Sequence, residues 1–274
     1  NFYWLTGSFV RGDGEGHVEP SEVEASIDAE AGAEIRRAIL DEAVAASPAF
    51  AAMAAPLANT FALYANGVRR EIDALAPSPS PDAVDPYARW AAPPAPDAGW
   101  RAPSDVIRKL SVVEPGEVKP APAAADGRIV RTVAGVSRQL DAPGASSTDT
   151  WLEMPGVSHF ALGADARSDG ACAPTGLALL SAGVAFCYMT QLARYIEHMK
   201  LGISGVRLVQ TLPFAVEEEG GRLVGRVEPA DTHLFLNGRA ASETHAMLTR
   251  VGARTCYLHA TLSSAVPARV PEGW

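Results

Sequence analysis

Cysteine is scarce, with three in 274 residues. Three is too few for a disulfide framework, and an odd number argues against one. It points instead to a reducing compartment such as the cytoplasm, with buried or functional thiols. Basic residues are outnumbered: 23 Lys and Arg against 32 Asp and Glu give a formal net charge of −9. A nucleic-acid surface needs cations to neutralise phosphate, so the balance argues against that partner, and equally against a polybasic membrane anchor. No uninterrupted apolar run reaches the ~18 residues of a spanning helix, and no basic stretch followed by an apolar segment opens the chain. What is present, 47% hydrophobic residues, suffices for one large domain or two small ones with a proper core.

Periodicity and turn residues divide the chain. Strands are expected over residues 2–10 and Val18–Ile27. A helix follows over Ala33–Ala46, where Ile35, Ala38, Ile39 and Ala43 recur at helical spacing. Ser47-Pro48 ends it, because proline lacks the donor and restricts the residue before it. A strand near Thr60–Tyr64 closes on Asn66-Gly67. Proline-rich runs then mark 76–126 as a surface-wrapping linker, with a small element within Asp105–Val113. Beyond it, strands are expected at Ile129–Leu140 and Val157–Leu162, and a long helix over Thr175–Lys200 with Gly202 as its stop. Strands Gly205–Val216 and Leu223–Leu236 flank Glu219-Gly220-Gly221, whose acidic neighbours read as a solvated hairpin tip. A helix over Ser242–Ala253, a break at Cys256 and a strand over Val266–Val270 complete the reading.

Two segments repeat. Gly16-His-Val-Glu-Pro20 matches Gly225-Arg-Val-Glu-Pro229, each followed by a strand and a helix. Val18 to Ser47 spans 47 − 18 = 29, and Val227 to Cys256 spans 256 − 227 = 29. The chain is therefore expected to hold a partial copy (1–75) that has lost its thiol at Ser47, the linker (76–126), and a complete copy (127–274). The front half of the first copy, the part corresponding to residues 127–205, is expected to be absent or to lie upstream of Asn1.

Two cysteines stand out. Leu179-Leu-Ser-Ala-Gly-Val-Ala-Phe-Cys187 puts one inside an apolar helix whose small residues admit a close neighbour. Alone, that is the signature of an inert buried thiol. Cys256 ends the later helix, with Arg254 and His259 as local groups able to tune a thiolate. Cys172 lies in a turn before the long helix and is either incidental or an alternative resolving thiol. His198 and His245 read as surface or packing residues, and Ser47 has no His/Asp pattern around it for a hydrolase.

The order of strands, turn, long helix with a central cysteine, Gly-Gly hairpin, helix and second cysteine resembles the OsmC/Ohr family of thiol peroxidases. The segment Leu179–Cys187 carries most of the likeness. The resemblance covers residues 127–270 and implies an α/β (α+β) fold with long central helices packed against antiparallel sheets. It implies that Cys187 attacks a hydroperoxide and that Cys256 resolves the sulfenic acid as a disulfide, which a dithiol then reduces. Arg128 is the matching candidate for the activating arginine, chosen over Arg131 and Arg138 for its Asp-Gly-Arg context. Phe160, Phe186 and Tyr188 are candidates for the apolar wall around an organic peroxide. No cofactor is implied, and a homodimer, or a partner carrying the missing front half, is. The chain departs from the family where Gly176, Leu177 and Ala178 replace a glutamate, and where Tyr257 replaces a proline after the second cysteine. Two alternatives stand beside this reading. One is a zinc or copper site built from Cys187, Cys256 and His259, the last two at Cys-x-x-His spacing. The other is a non-catalytic protein that binds a small molecule.

Overall fold

The computed structural model describes residues 18–27, 30–86, 106–110, 133–152, 159–167 and 173–270. They fall into two compact units, one drawn from residues 92–180 and the other from 5–91 with 181–274. The architecture is α+β.

In the first unit, β5 (Val133–Gln139), β6 (Ala145–Leu152) and β7 (Phe160–Asp165) form an antiparallel meander, and β4 (Ile107–Lys109) pairs with β7. Within the described residues the expected strand Ile129–Leu140 is found as β5, and Val157–Leu162 as β7, which extends three residues further to Asp165. Strand β6 has no counterpart in the sequence reading, because Ser146-Ser-Thr-Asp-Thr150 shows no apolar alternation. Its order comes from pairing on both edges. Asp165, fully buried, holds the turn after β7 through the guanidinium and amide of Arg167.

The second unit is built on a sheet of order β2-β1-β11-β8: β1 (Thr60–Ala65), β2 (Val68–Arg70), β8 (Ile203–Thr211) and β11 (Asp231–Gly238). Strand β1 runs parallel to β11, and β3 (Ala76–Pro77) adds to β1. The β1–β2 turn needs two left-handed residues, supplied by Asn66 and Gly67. Two long expected strands are each divided. The first becomes β8 and β9 (Phe214–Glu219), parted at Leu212-Pro213. The second becomes β10 (Arg222–Val227) and β11, parted at Glu228-Pro229, since proline cannot donate to a ladder.

Helix α1 (Ala33–Ala46) matches expectation and turns at Ser47 into α2 (Pro48–Ala54). Helix α3 (Gly176–Met199) begins in the first unit and continues in the second. Its stop is not Gly202 but Lys200, which takes the left-handed conformation (φ 50°) while Leu201 N–H closes on the Ile196 carbonyl. By length and composition α3 is apolar enough to cross a membrane, with mean hydropathy 1.5 over 18 residues. Polar interruptions such as Thr190 and Gln191 hid this from a search for uninterrupted runs. Its residues Val184, Tyr188, Gln191, Leu192 and Tyr195 recur at helical spacing and are buried. Helix α4 (Ser242–Thr255) then turns at Cys256 into α5 (Tyr257–Ser263), a helix the sequence reading did not anticipate. The expected strands at 18–27 and 266–270 reduce to one parallel bridge between Glu22 and Arg269.

One face of the sheet carries Phe61, Leu63, Leu234 and Leu236 into the core, where Phe61 meets Tyr188 of α3. The other face carries a buried polar cluster. Ser78 donates to Asp231 (3.0 Å) and contacts His233 Nε2 (3.0 Å), while His233 Nδ1 meets the Tyr64 hydroxyl (3.1 Å). This ties the start of the expected linker onto the sheet, as does the Arg207–Asp85 ion pair.

A single numbering offset relates two halves of this unit. Adding 209 to the bounds of α1 and α2 gives those of α4 and α5 (33 + 209 = 242; 54 + 209 = 263). The same shift exchanges hydrogen-bond partners. Thr60 N–H donates to Ala230 O and Arg269 N–H to Ser21 O; Leu57 N–H donates to Leu262 O and Val266 N–H to Met53 O. Such reciprocal exchange is the pattern of a two-fold relation.

Candidate functional site: a buried thiol pair

The apolar face of α3 sets Cys187 beside Val184 and Tyr188, and the α4–α5 kink sets Cys256 opposite it. Close approach of the helices depends on Gly252, where a Cβ would lie 2.6 Å from Leu192 Cδ2 and 2.9 Å from Tyr188 Cε2. Gly183 similarly admits the side chain of Leu258. Both thiols are reduced; Cys256 is fully buried and Cys187 partly so.

The two side chains share a hydrogen bond, and this lowers the Cys187 pKa to about 7. Burial opposes that shift, while the amide groups of Leu258 and Tyr257, at the start of α5, reinforce it. Cys256 is shifted up, first by burial and then by the Cys187 thiolate it faces. Charge therefore concentrates on Cys187 and the proton stays on Cys256. That is the arrangement of a nucleophile and a held-back second thiol.

His259 sits three residues after Cys256, one turn into α5, and its Nδ1 lies 3.2 Å from Cys256 Sγ. Its ring packs at 5.5 Å from Phe61 and 5.1 Å from Tyr188, and burial pushes its pKa down to about 4, so it is neutral at pH 7. The sequence pointed to His259 both as a group able to tune the Cys256 thiolate and as a candidate metal ligand. Among the described residues no group of three His, Cys, Asp or Glu side chains is placed to hold a metal ion.

The other expected residues separate. Arg128 and Cys172 lie outside the described residues. Among the described residues no arginine is among the groups that shift Cys187, where the amides of Tyr257 and Leu258 act. Phe160 belongs to β7 of the first unit. Phe186 is 70% exposed, while Tyr188 is fully buried with its hydroxyl donating to Thr249 O. Arg254 is exposed. His245 is buried as a packing residue, its Nδ1 on Ala241 O, and His198 is exposed near the end of α3.

The Ser78–His233–Asp231 cluster, which spacing could not reveal, is not a hydrolase triad. Asp231 approaches the same ring nitrogen that faces Ser78, whereas a triad needs the carboxylate on the other nitrogen.

No family model matches the chain, and no curated protein matches it. Among solved structures, it is similar to an OsmC-like hydroperoxide resistance protein from Jannaschia sp. CCS1, at 20% identity and TM-score 0.32 over 49% of this chain and 87% of that one. It is also similar to an OsmC-like protein from Mycoplasma pneumoniae, at 16% identity and TM-score 0.37 over 53% of this chain and 94% of that one.

Proposed function

We propose that this protein reduces organic hydroperoxides through Cys187 and Cys256, as an OsmC-like thiol peroxidase of the cytoplasm. The observation that carries the reading is the hydrogen-bonded thiol pair with its unequal proton affinities. The Cys187 thiolate attacks the outer peroxide oxygen, forming an S–O bond as the O–O bond breaks. The alcohol leaves with a proton, and Cys187 becomes a sulfenic acid. The Cys256 sulfur then attacks the Cys187 sulfur, a disulfide forms and water departs. An external dithiol restores both thiols by exchange. The Cys256 proton leaves with the departing hydroxide as water, while His259 Nδ1 sits 3.2 Å from the Cys256 sulfur and orients it.

The test is consumption of cumene hydroperoxide with dithiothreitol as reductant. Cys187→Ser is expected to abolish it. Cys256→Ala is expected to leave a sulfenic acid on Cys187 that dimedone labels. Full turnover by Cys187→Ser would overturn the reading.

We further propose that residues 1–75 are a partial copy of the thiol unit, with Ser47 where Cys256 stands. The reciprocal hydrogen bonds under the 209-residue offset support it, as does the matching backbone at Ser47 (φ −84°, ψ 114°) and Cys256 (φ −75°, ψ 112°). On this reading the exposed apolar side of α1 is the face that a homodimer, or a partner carrying the missing front half, covers.

A further inference from the structure

His259 is immobilised through both its ring and its backbone. Phe61 of β1 and Tyr188 of α3 pack against the ring at 5.5 and 5.1 Å, and Tyr188 is itself anchored by its hydroxyl on Thr249 O. Asn59 Nδ2 donates to the His259 carbonyl oxygen (3.1 Å) and to Ser263 Oγ (2.7 Å), which pins the backbone of α5. The residue is 2% exposed, and its Nδ1 lies 3.2 Å from Cys256 Sγ.

A neutral imidazole carries one ring hydrogen, and which nitrogen holds it is set by the bonds the two nitrogens make. The Cys256 thiol also has one hydrogen, and it is shared with Cys187. That hydrogen cannot go to His259 Nδ1 as well, so the contact between ring and sulfur requires the ring hydrogen on Nδ1, donated to a sulfur lone pair. The other nitrogen agrees. Nε2 is buried with no hydrogen-bond partner among the described residues, and a hydrogen there would be a donor with nothing to receive it.

The other ionisable groups facing this cluster are Tyr188 on α3 and, around the cavity that His259 lines, Tyr195, Arg250 and Arg254. None of them is among the causes of the Cys187 shift. The half of the unit without the thiol differs at both positions. Under the 209-residue offset Ser47 stands for Cys256 and Phe50 for His259 (259 − 209 = 50), an aromatic ring without the donor.

We propose that His259 is a positioning residue for Cys187: its Nδ1–H, donated to Cys256 Sγ, turns the Cys256 hydrogen onto Cys187 and so holds Cys187 as the reactive thiol. The assignment rests on the thiol-pair reading and adds to it the group that sets the direction of the bond between the sulfurs.

Iodoacetamide alkylation of the reduced full chain, followed at Cys187 against pH by mass spectrometry, tests this. The native midpoint is expected near 7, and His259→Phe is expected to raise it toward the ordinary 9.0. His259→Asn, whose amide nitrogen can stand close to the place of Nδ1, is expected to keep the native midpoint. Nitrogen NMR of the histidine-labelled native protein needs no substitution. Above that midpoint it is expected to show the His259 hydrogen on Nδ1. An unchanged midpoint in His259→Phe, an equal rise in His259→Asn, or a hydrogen on Nε2 in the native protein would each overturn the assignment. Neither measurement reads turnover, so failure to consume cumene hydroperoxide is distinguishable from failure here.

Discussion

Cys187 and Cys256 were legible because cysteine is rare here and both sit at helix positions; their unequal charge was not. The difference comes from depth and from which amides face each sulfur. Removing the Cys256 hydrogen takes away the largest cause of the low Cys187 pKa. Iodoacetamide alkylation of Cys187, followed against pH by mass spectrometry, is therefore expected to show a midpoint near 7 in the native protein. In Cys256→Ala the midpoint is expected to move up toward the ordinary 9.0. An unchanged midpoint would mean that the amides of Tyr257 and Leu258 suffice. His259 was legible as a Cys-x-x-His neighbour of Cys256 with two open roles, because spacing shows proximity and not whether a lone pair meets a metal or a thiol.

Helices α1 and α4 have the same length and the same kink, yet their faces differ. Leu248 of α4 is fully buried, whereas Ile39, its counterpart under the 209-residue offset, is 50% exposed. Leu248→Ala should therefore cost about 2–5 kcal/mol and Ile39→Ala no more than about 0.5 kcal/mol, read by urea unfolding. Comparable losses at both positions would show that α1 is covered in solution. Strand β10 runs so close to the Ser47–Pro48 kink that a Cβ on Gly225 would lie 2.4 Å from the Ser47 carbonyl carbon. Backbone cannot step aside as a side chain can, so Gly225→Ala is expected to cost more than Gly252→Ala, whose obstruction is two side chains. Helical periodicity announced α1, α3 and α4 to within two residues at nearly every end. The hairpin turn at Gly220-Gly221 was announced too, whereas the breaks at Leu212-Pro213 and Glu228-Pro229 were concealed within long apolar runs, and α5 was missed because seven residues give too short a period.

The stability of the whole molecule carries the signature of these groups. His259 is neutral in the fold and its pKa is lowered from 6.5 to about 4, so between those values the unfolded chain binds a proton that the folded one does not. Its contribution is present above 6.5 and is lost as pH falls through 4. Cys187, also lowered, adds stability as pH rises from 7 to 9.0; Cys256, raised, gives stability that is lost above 9.0. The Tm under reductant should thus be highest between pH 7 and 9, with an acid limb starting near 6.5, above the carboxylate range. His259→Phe should flatten that limb, and an unaltered acid limb would show that the histidine is not buried neutral.

Sequence by itself determined helices α1, α3 and α4, the acidic charge balance, the thiol candidates and the 29-residue spacing shared by Val18–Ser47 and Val227–Cys256, because each is carried by local pattern or residue identity. Tertiary structure decided which atoms meet. Residues 60 and 231 pair, as do 22 and 269, and Cys187 reaches a sulfur 69 residues away (256 − 187 = 69). Such contacts form only when helices pack closely enough to exclude water, and close packing is a property of surfaces brought together, which no local window records.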